Sequence, residues 1–237
     1  MIDRSEHQRQ FVERWEALKP PTSGAWLQKR RLAAAMRLVI SRLVQSNAPE
    51  DELRSAAEDM ERYSQRLATH PRLRRGERNS ESPPDPDVGT FVDQSPLTGL
   101  ANPLAPPIAL EEEDAWCAAG RVTYGAAYEG PPGCVHGGFI AAAFDEVLGF
   151  VQGMSGDPGF TGTLRIRYRR PTPLHRELRL VGEIVRVESR KIFTEGRLLG
   201  DDDTLYAEGE SLFITPHPEQ YERLVAARSH REAERST

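Results

Sequence analysis

Several features are scarce in this 237-residue chain, and each scarcity removes a class of protein. Its two cysteines, Cys117 and Cys134, cannot build a disulfide framework and are too few for a zinc site without histidine help. Both read as reduced core or loop residues. The six histidines, His7, His70, His136, His175, His217 and His230, are scattered without ligand spacing, so no metal is expected. No apolar run approaches the ~18 residues that span a bilayer, and a start carrying Asp3, Arg4, Glu6 and His7 does not read as a secretory leader. The expectation is a soluble, cytoplasmic protein without a membrane partner. Basic charge is not in excess either: the formal net charge is -5, which argues against a nucleic-acid partner.

What is present falls into four stretches. Residues 1–71 are charged and helical in pattern, with no strand-like alternation. Phe11, Val12, Trp15 and Leu18 recur at helical spacing before Pro20 and Pro21, and Leu32, Met36, Val39, Ile40, Leu43 and Val44 do so after Trp26. A further helix is expected from Asn47-Ala48-Pro49-Glu50, with Asn47 as cap, Pro49 in the first turn and Leu53, Ala56, Ala57, Met60 and Leu67 as its apolar face. These faces suit either a partner-binding hairpin or an extension packed on its own domain, and amphipathic faces are more often core than interface. Residues 72–89 mix charge, Ser and Pro, cannot bury a core and mark a linker. The arginines Arg72, Arg74, Arg75 and Arg78 lie among acids without aromatics, which fits a solvated linker better than a phosphate surface.

Residues 90–216 read as one domain. An apolar, proline-rich loop to Pro107 should pack over something. Strands follow at Ile108 to Glu111 and Ala115 to Tyr124, separated by an acidic turn, Glu112-Glu113-Asp114. Beyond the central stretch come Thr161 to Arg169, Leu178 to Val187, Lys191 to Leu199 and Thr204 to Ile214, joined by short turns. The first of these alternates, with Leu164, Ile166 and Tyr168 on one face and Arg165, Arg167 and Arg169 on the other. Residues 217–237 form a charged tail.

The central stretch runs from Tyr128 to Gly149. Gly130-Pro131-Pro132-Gly133 leads into an apolar helix whose start, Gly137-Gly138, bares N–H groups that have no acceptor within the helix. An oxyanion would suit that end. Asp145 lies seven residues after Gly138, within about 20° of the same stripe, alongside Ala141, Ala142, Leu148 and Gly149. A helix apolar nearly all round is usually buried, and a carboxylate on its buried side is costly unless paired or used. Asp145 is therefore either satisfied by a local Ser, Thr or Arg or is a working group. With strands on both sides of one apolar helix and no second long helix to cover them, the sheet should curl around that helix, giving an α+β fold.

The His136-Gly137-Gly138 start, Asp145 nine positions after His136, the Thr161 to Pro173 strand and Ser189-Arg190-Lys191 together resemble hotdog-fold acyl-CoA thioesterases, chiefly the phenylacetate-degradation type, over roughly Ser95 to Pro216. The resemblance implies an antiparallel sheet wrapped around a central helix, assembled as a homodimer or a dimer of dimers, with active sites at the dimer interface. It also implies hydrolysis of an acyl-CoA or related acyl thioester, with CoA a part of the substrate and no separate cofactor. In that comparison the catalytic carboxylate falls on Asp145, the oxyanion-hole glycine on Gly138, the helix-start histidine on His136 and a polar strand residue on Thr161. CoA-phosphate contacts fall on Arg167, Arg169, Arg190 and Lys191. Each position has a plainer reading: Thr161 as an ordinary strand residue, His136 as a backbone partner, the arginines as a solvated sheet face. A non-catalytic acyl-CoA-binding or scaffold protein is the rival from another class. One distance is independent of the resemblance: seven residues at ~1.5 Å rise put Asp145 about 10 Å along the helix from Gly138, too far for both to touch one carbonyl. A two-fold pairing would resolve this.

Overall fold

The structure is a computed structural model that describes residues 24–71, 93–114, 116–156, 159–217 and 219. The helix expected around Phe11 to Leu18, the linker 72–89 and all but two residues of the tail 217–237 lie outside the described residues. Among the described residues three α-helices and six strands follow in chain order, with a short 3-10 turn at Ala126–Tyr128: α1 (Gly24–Leu43), α2 (Glu50–Ala68), β1 (Ala109–Asp114), β2 (Cys117–Thr123), α3 (Gly137–Gly153), β3 (Phe160–Tyr168), β4 (Glu177–Glu188), β5 (Lys191–Gly200) and β6 (Leu205–Ile214). The strands form one sheet in the order β1-β2-β4-β5-β6-β3, antiparallel throughout. β3 follows α3 in sequence but lies at the sheet edge beyond β6.

The sheet curls around α3 because the helix has an apolar face to bury and the sheet has room for it. Ile140, Phe144, Val147, Leu148 and Val151 recur at helical spacing and are all buried. The room comes from a row of glycines in register across three strands, Gly182 opposite Gly196 and Gly196 opposite Gly209. A Cβ at Gly182 would stand 2.9 Å from Leu148 Cδ2, and one at Gly209 only 2.4 Å from Phe144 Cδ1. Phe144 thus lies flat on bare backbone. Burying an aromatic side chain of this kind stabilises the fold by about 1.5–3 kcal/mol.

Three expectations change. Glu112, Glu113 and Asp114 are not a turn but the end of β1, since Glu112 pairs with Ala118 and Asp114 with Cys117 in the β1–β2 ladder. α2 starts at Glu50 with Pro49, not Asn47, at the N-cap and no side-chain cap, and it ends at Ala68. None of its residues is buried, so its apolar stripe packs on nothing in the described chain. α1 docks through a face other than its apolar one. Trp26, Arg30, Ala33 and Arg37 lie along one stripe against the body of the domain, with Ala33 buried, while Met36, Val39, Ile40 and Leu43 are exposed. Polar anchors fix the docking face here, chief among them the partners of Asp93, a buried carboxylate that would be costly to leave unpaired.

Candidate active site

The loop before α3 is shaped to deliver His136. Gly133 takes a φ of 72°, which a side chain would strain, and its N–H donates to Glu129 Oε1 at 2.6 Å. His136 is the N-cap of α3, and its Nδ1 accepts the Gly138 N–H at 3.0 Å. That acceptor role places the ring proton on Nε2, leaving an outward N–H donor. The bare donor expected at Gly138 is therefore capped from within its own chain. One residue earlier, the Gly137 carbonyl accepts the Tyr168 hydroxyl at 2.8 Å, tying the helix start to the far end of β3.

Asp145 is exposed, not buried, in the single chain. Of the stripe that spacing indicates, Leu148 turns into the core and is fully buried, while Gly138, Ala141, Ala142 and Gly149 are exposed or half-buried, because among the described residues no strand lies beyond β3 to cover them. Space for a Cβ at Gly149 is open. Asp145 Oδ1 accepts the Thr161 hydroxyl at 2.9 Å, so Thr161 engages the carboxylate itself.

Strict alternation would turn Thr161 outward with the arginines. A register shift between Thr161 and Thr163, a β-bulge at Gly162, turns it toward the helix. After the bulge Leu164 and Ile166 pack on the core and Tyr168 reaches Gly137, while Arg165, Arg167 and Arg169 point to the other, convex face. There Arg169 Nε donates to Glu208 at 2.7 Å, and Arg167 lies 3.8 Å from Glu210. With Val181, Glu183, Glu195 and Arg197 these side chains line a shallow groove on the side of the sheet away from α3. Arg167 and Arg169 are thus not brought together with Asp145, because the sheet stands between them. Arg190 lies in the β4–β5 turn, its guanidinium bonded to the Thr215 carbonyl at 3.0 Å, and Lys191 opens β5 and is exposed. Lys191 is in register with Ile214, which is in register with Phe160, so this pair shares the Thr161 end of the sheet.

Several side chains packed behind the site, not in it, were not singled out by spacing. Glu146, the residue after Asp145, accepts the hydroxyls of Ser95 and Thr98 at 2.9 and 3.1 Å on a single oxygen. Tyr124, Tyr128 and Phe139 form an aromatic cluster behind His136, with the Tyr128 and Phe139 rings 4.8 Å apart. Burial pushes the Tyr124 hydroxyl well above the usual tyrosine range, with nearby Tyr128 adding to it. Burial also raises Tyr128, opposed by the charge of Arg37, and burial lowers Arg37. Among the described residues no group of His, Cys, Asp and Glu is placed to hold a metal, and no helix is long and apolar enough to cross a membrane.

A sheet curled around one helix, with an acid on the helix clasped by an edge-strand hydroxyl and a histidine-capped Gly-Gly start, is the architecture of a hotdog-fold protein. The chain belongs to the thioesterase superfamily. Residues 132–207 match the model of that family. A solved crystal structure of a thioesterase superfamily protein is 34% identical, covers 83% of this chain and 97% of its own, and superposes with a TM-score of 0.71. Acyl-coenzyme A thioesterase THEM4 of Mus musculus is 36% identical over 93 residues, 39% of this chain and 40% of that protein. Acyl-coenzyme A thioesterase THEM5 of Homo sapiens is 31% identical over 91 residues, 38% and 37% of the two chains. The similarity thus spans about two fifths of the length of these curated relatives.

Proposed function

We propose that this protein hydrolyses an acyl-CoA, or a related acyl thioester, to the free acid and thiol. The observation that carries the reading is the Thr161 to Asp145 hydrogen bond of 2.9 Å on the open flank of α3. It holds an ionisable carboxylate in one orientation, beside a stripe of small residues where a thioester can lie. Asp145 then acts as general base on water or attacks the carbonyl directly. The developing oxyanion takes over the Gly138 N–H from His136, whose freed imidazole stays within reach of the same oxygen. Arg190 and Lys191, at the Thr161 end of the sheet, are the candidates for the CoA phosphates.

Two copies complete the site in this reading. β3 is an uncovered edge strand of nine residues, with Thr161 holding Asp145 near one end and Tyr168 holding Gly137 at the other. Antiparallel pairing of β3 with its own copy sets Thr161 of one chain near Tyr168 of the other. Asp145 of one copy then faces the helix start of its mate. The decisive experiment is Asp145→Ala assayed for thiol release across a panel of acyl-CoAs, with oligomeric state measured alongside. Turnover should fall by at least ~100-fold, as for loss of a general base, with assembly unchanged. Equally low turnover in wild type and variant, with acyl-CoA still bound, would instead mark a binding module.

A further inference from the structure

The apolar loop from Asp93 to Pro107 is built as a turn, not merely laid down. Ser95 Oγ accepts the N–H groups of Leu97 and Thr98, at 3.1 and 3.2 Å, and Gly99 and Ala101 donate back to the carbonyls of Ser95 and Asp93. A Cβ at Gly99 would stand 2.4 Å from the Asp93 carbonyl, so the closure is tight. Ser95 and Thr98 are buried, and both hydroxyls are donated to the same oxygen of Glu146, the residue after Asp145 on α3.

The outer side of the turn is held by α1. Buried Asp93 accepts the Trp26 indole N–H at 2.5 Å and pairs with Arg30. Arg37 donates to the carbonyls of Asn102 at 2.8 Å and Leu100 at 3.3 Å. Further along, the Leu104 carbonyl accepts the Tyr128 hydroxyl at 3.3 Å, and Tyr128 packs edge-on against Phe139. Leu97 rests on the core beside α3. The loop therefore borders both half-sites of its chain, Asp145 through Glu146 and His136 through the aromatic cluster.

We propose that Glu146 is a positioning residue that fastens this turn to the catalytic helix, and that the turn, clamped from outside by α1, is the specificity wall against which the acyl group packs. The proposal rests on the thioesterase reading. Glu146 works as a double acceptor of two hydroxyls, not as a charge applied to the reaction, so Glu146→Gln, which keeps the acceptor oxygen, should behave like the wild type. Glu146→Ala should free the turn.

The test compares wild type, Glu146→Gln, Glu146→Ala and Thr98→Val. Thr98→Val removes one of the two hydroxyls without touching α3, and it carries the test should Glu146→Ala fail to fold. In Glu146→Ala the amides of Leu97, Thr98, Gly99 and Ala101 should exchange at least about tenfold faster, the equivalent of one hydrogen bond. KM for the longest acyl-CoA turned over should rise about tenfold while kcat on acetyl-CoA holds within about twofold, the signature of lost acyl contact without lost chemistry. Thr98→Val should move both readouts in the same direction by less. Wild-type exchange and acyl profile in both Glu146→Ala and Thr98→Val would overturn the proposal. So would a Glu146→Gln enzyme as impaired as Glu146→Ala, or a loss equal at every acyl length. A wild-type protein that releases thiol from no acyl-CoA sinks the thioesterase reading and the specificity wall with it, and the exchange rates then decide alone whether Glu146 fastens the turn.

Discussion

Tyr124 shows how one buried residue can set a pH limit. Its ring is almost fully buried, its hydroxyl donates to the Phe139 carbonyl at 3.3 Å, and burial holds the phenol neutral well above its ordinary range. The sign follows from linkage: with the folded-state pKa above the unfolded value of ~10, the contribution is complete below about pH 10 and declines as pH rises from there toward the folded-state pKa. Tyr124→Phe should cost about 1 kcal/mol near neutral pH, through the lost hydrogen bond. It should also lose less stability than the wild type between about pH 10 and 12, as read by denaturant melts. Equal alkaline losses in the two proteins would remove Tyr124 as the cause. The residue scale also shows where sequence reading stops. Asp145 and Thr161 were both legible as site candidates, with Thr161 expected to hold either water or the carboxylate; which of the two it meets depends on the bulge at Gly162 that reverses the side-chain alternation before Leu164.

At the scale of elements, the central helix and the sheet are matched through missing side chains. The glycines at 182, 196 and 209 look in sequence like weak points of three strands, since glycine lowers strand stability. Their purpose appears only when the strands are in register, where they form a bare strip under Phe144 and Leu148. Gly209→Ala should therefore destabilise the fold by about 1–3 kcal/mol, the usual cost of overpacking, despite alanine's better strand propensity. A thermal melt at or above the wild-type midpoint would contradict this seat. α1 teaches a related lesson. Its apolar stripe was the visible signal, yet the helix is held by Trp26, Arg30 and Arg37, whose partners Asp93, Leu100 and Asn102 lie more than sixty positions away. Periodicity marks a helix; it does not say which face a distant loop will choose.

For the whole molecule the question is where one active site ends and the next begins. Asp145 and Gly138 share a helix but sit about 10 Å apart along it. A site split between two copies predicts complementation between two inactive variants. Asp145→Ala lacks the carboxylate, and Gly138→Pro lacks the N–H while keeping a residue that the first helical turn tolerates. Each should be inactive alone. Unfolded together and refolded as an equal mixture, half of the dimers should pair one chain of each kind and carry one intact site, restoring about a quarter of wild-type thiol release. A site contained in one chain would restore nothing.

Sequence by itself determined the local and periodic properties: one apolar helix, its histidine and glycine start, the acid on its stripe, the strands after it and the absence of a membrane-length apolar run. These are legible because helix and strand periods, caps and turns involve residues close in the chain. Tertiary structure alone decided which stripe of α3 is left uncovered, that Thr161 turns inward, that the Gly138 N–H is capped by His136, and that Arg167 and Arg169 stand on the far side of the sheet from Asp145. Each of these turns on register, a bulge or an edge, which arise only when segments distant in sequence are placed side by side.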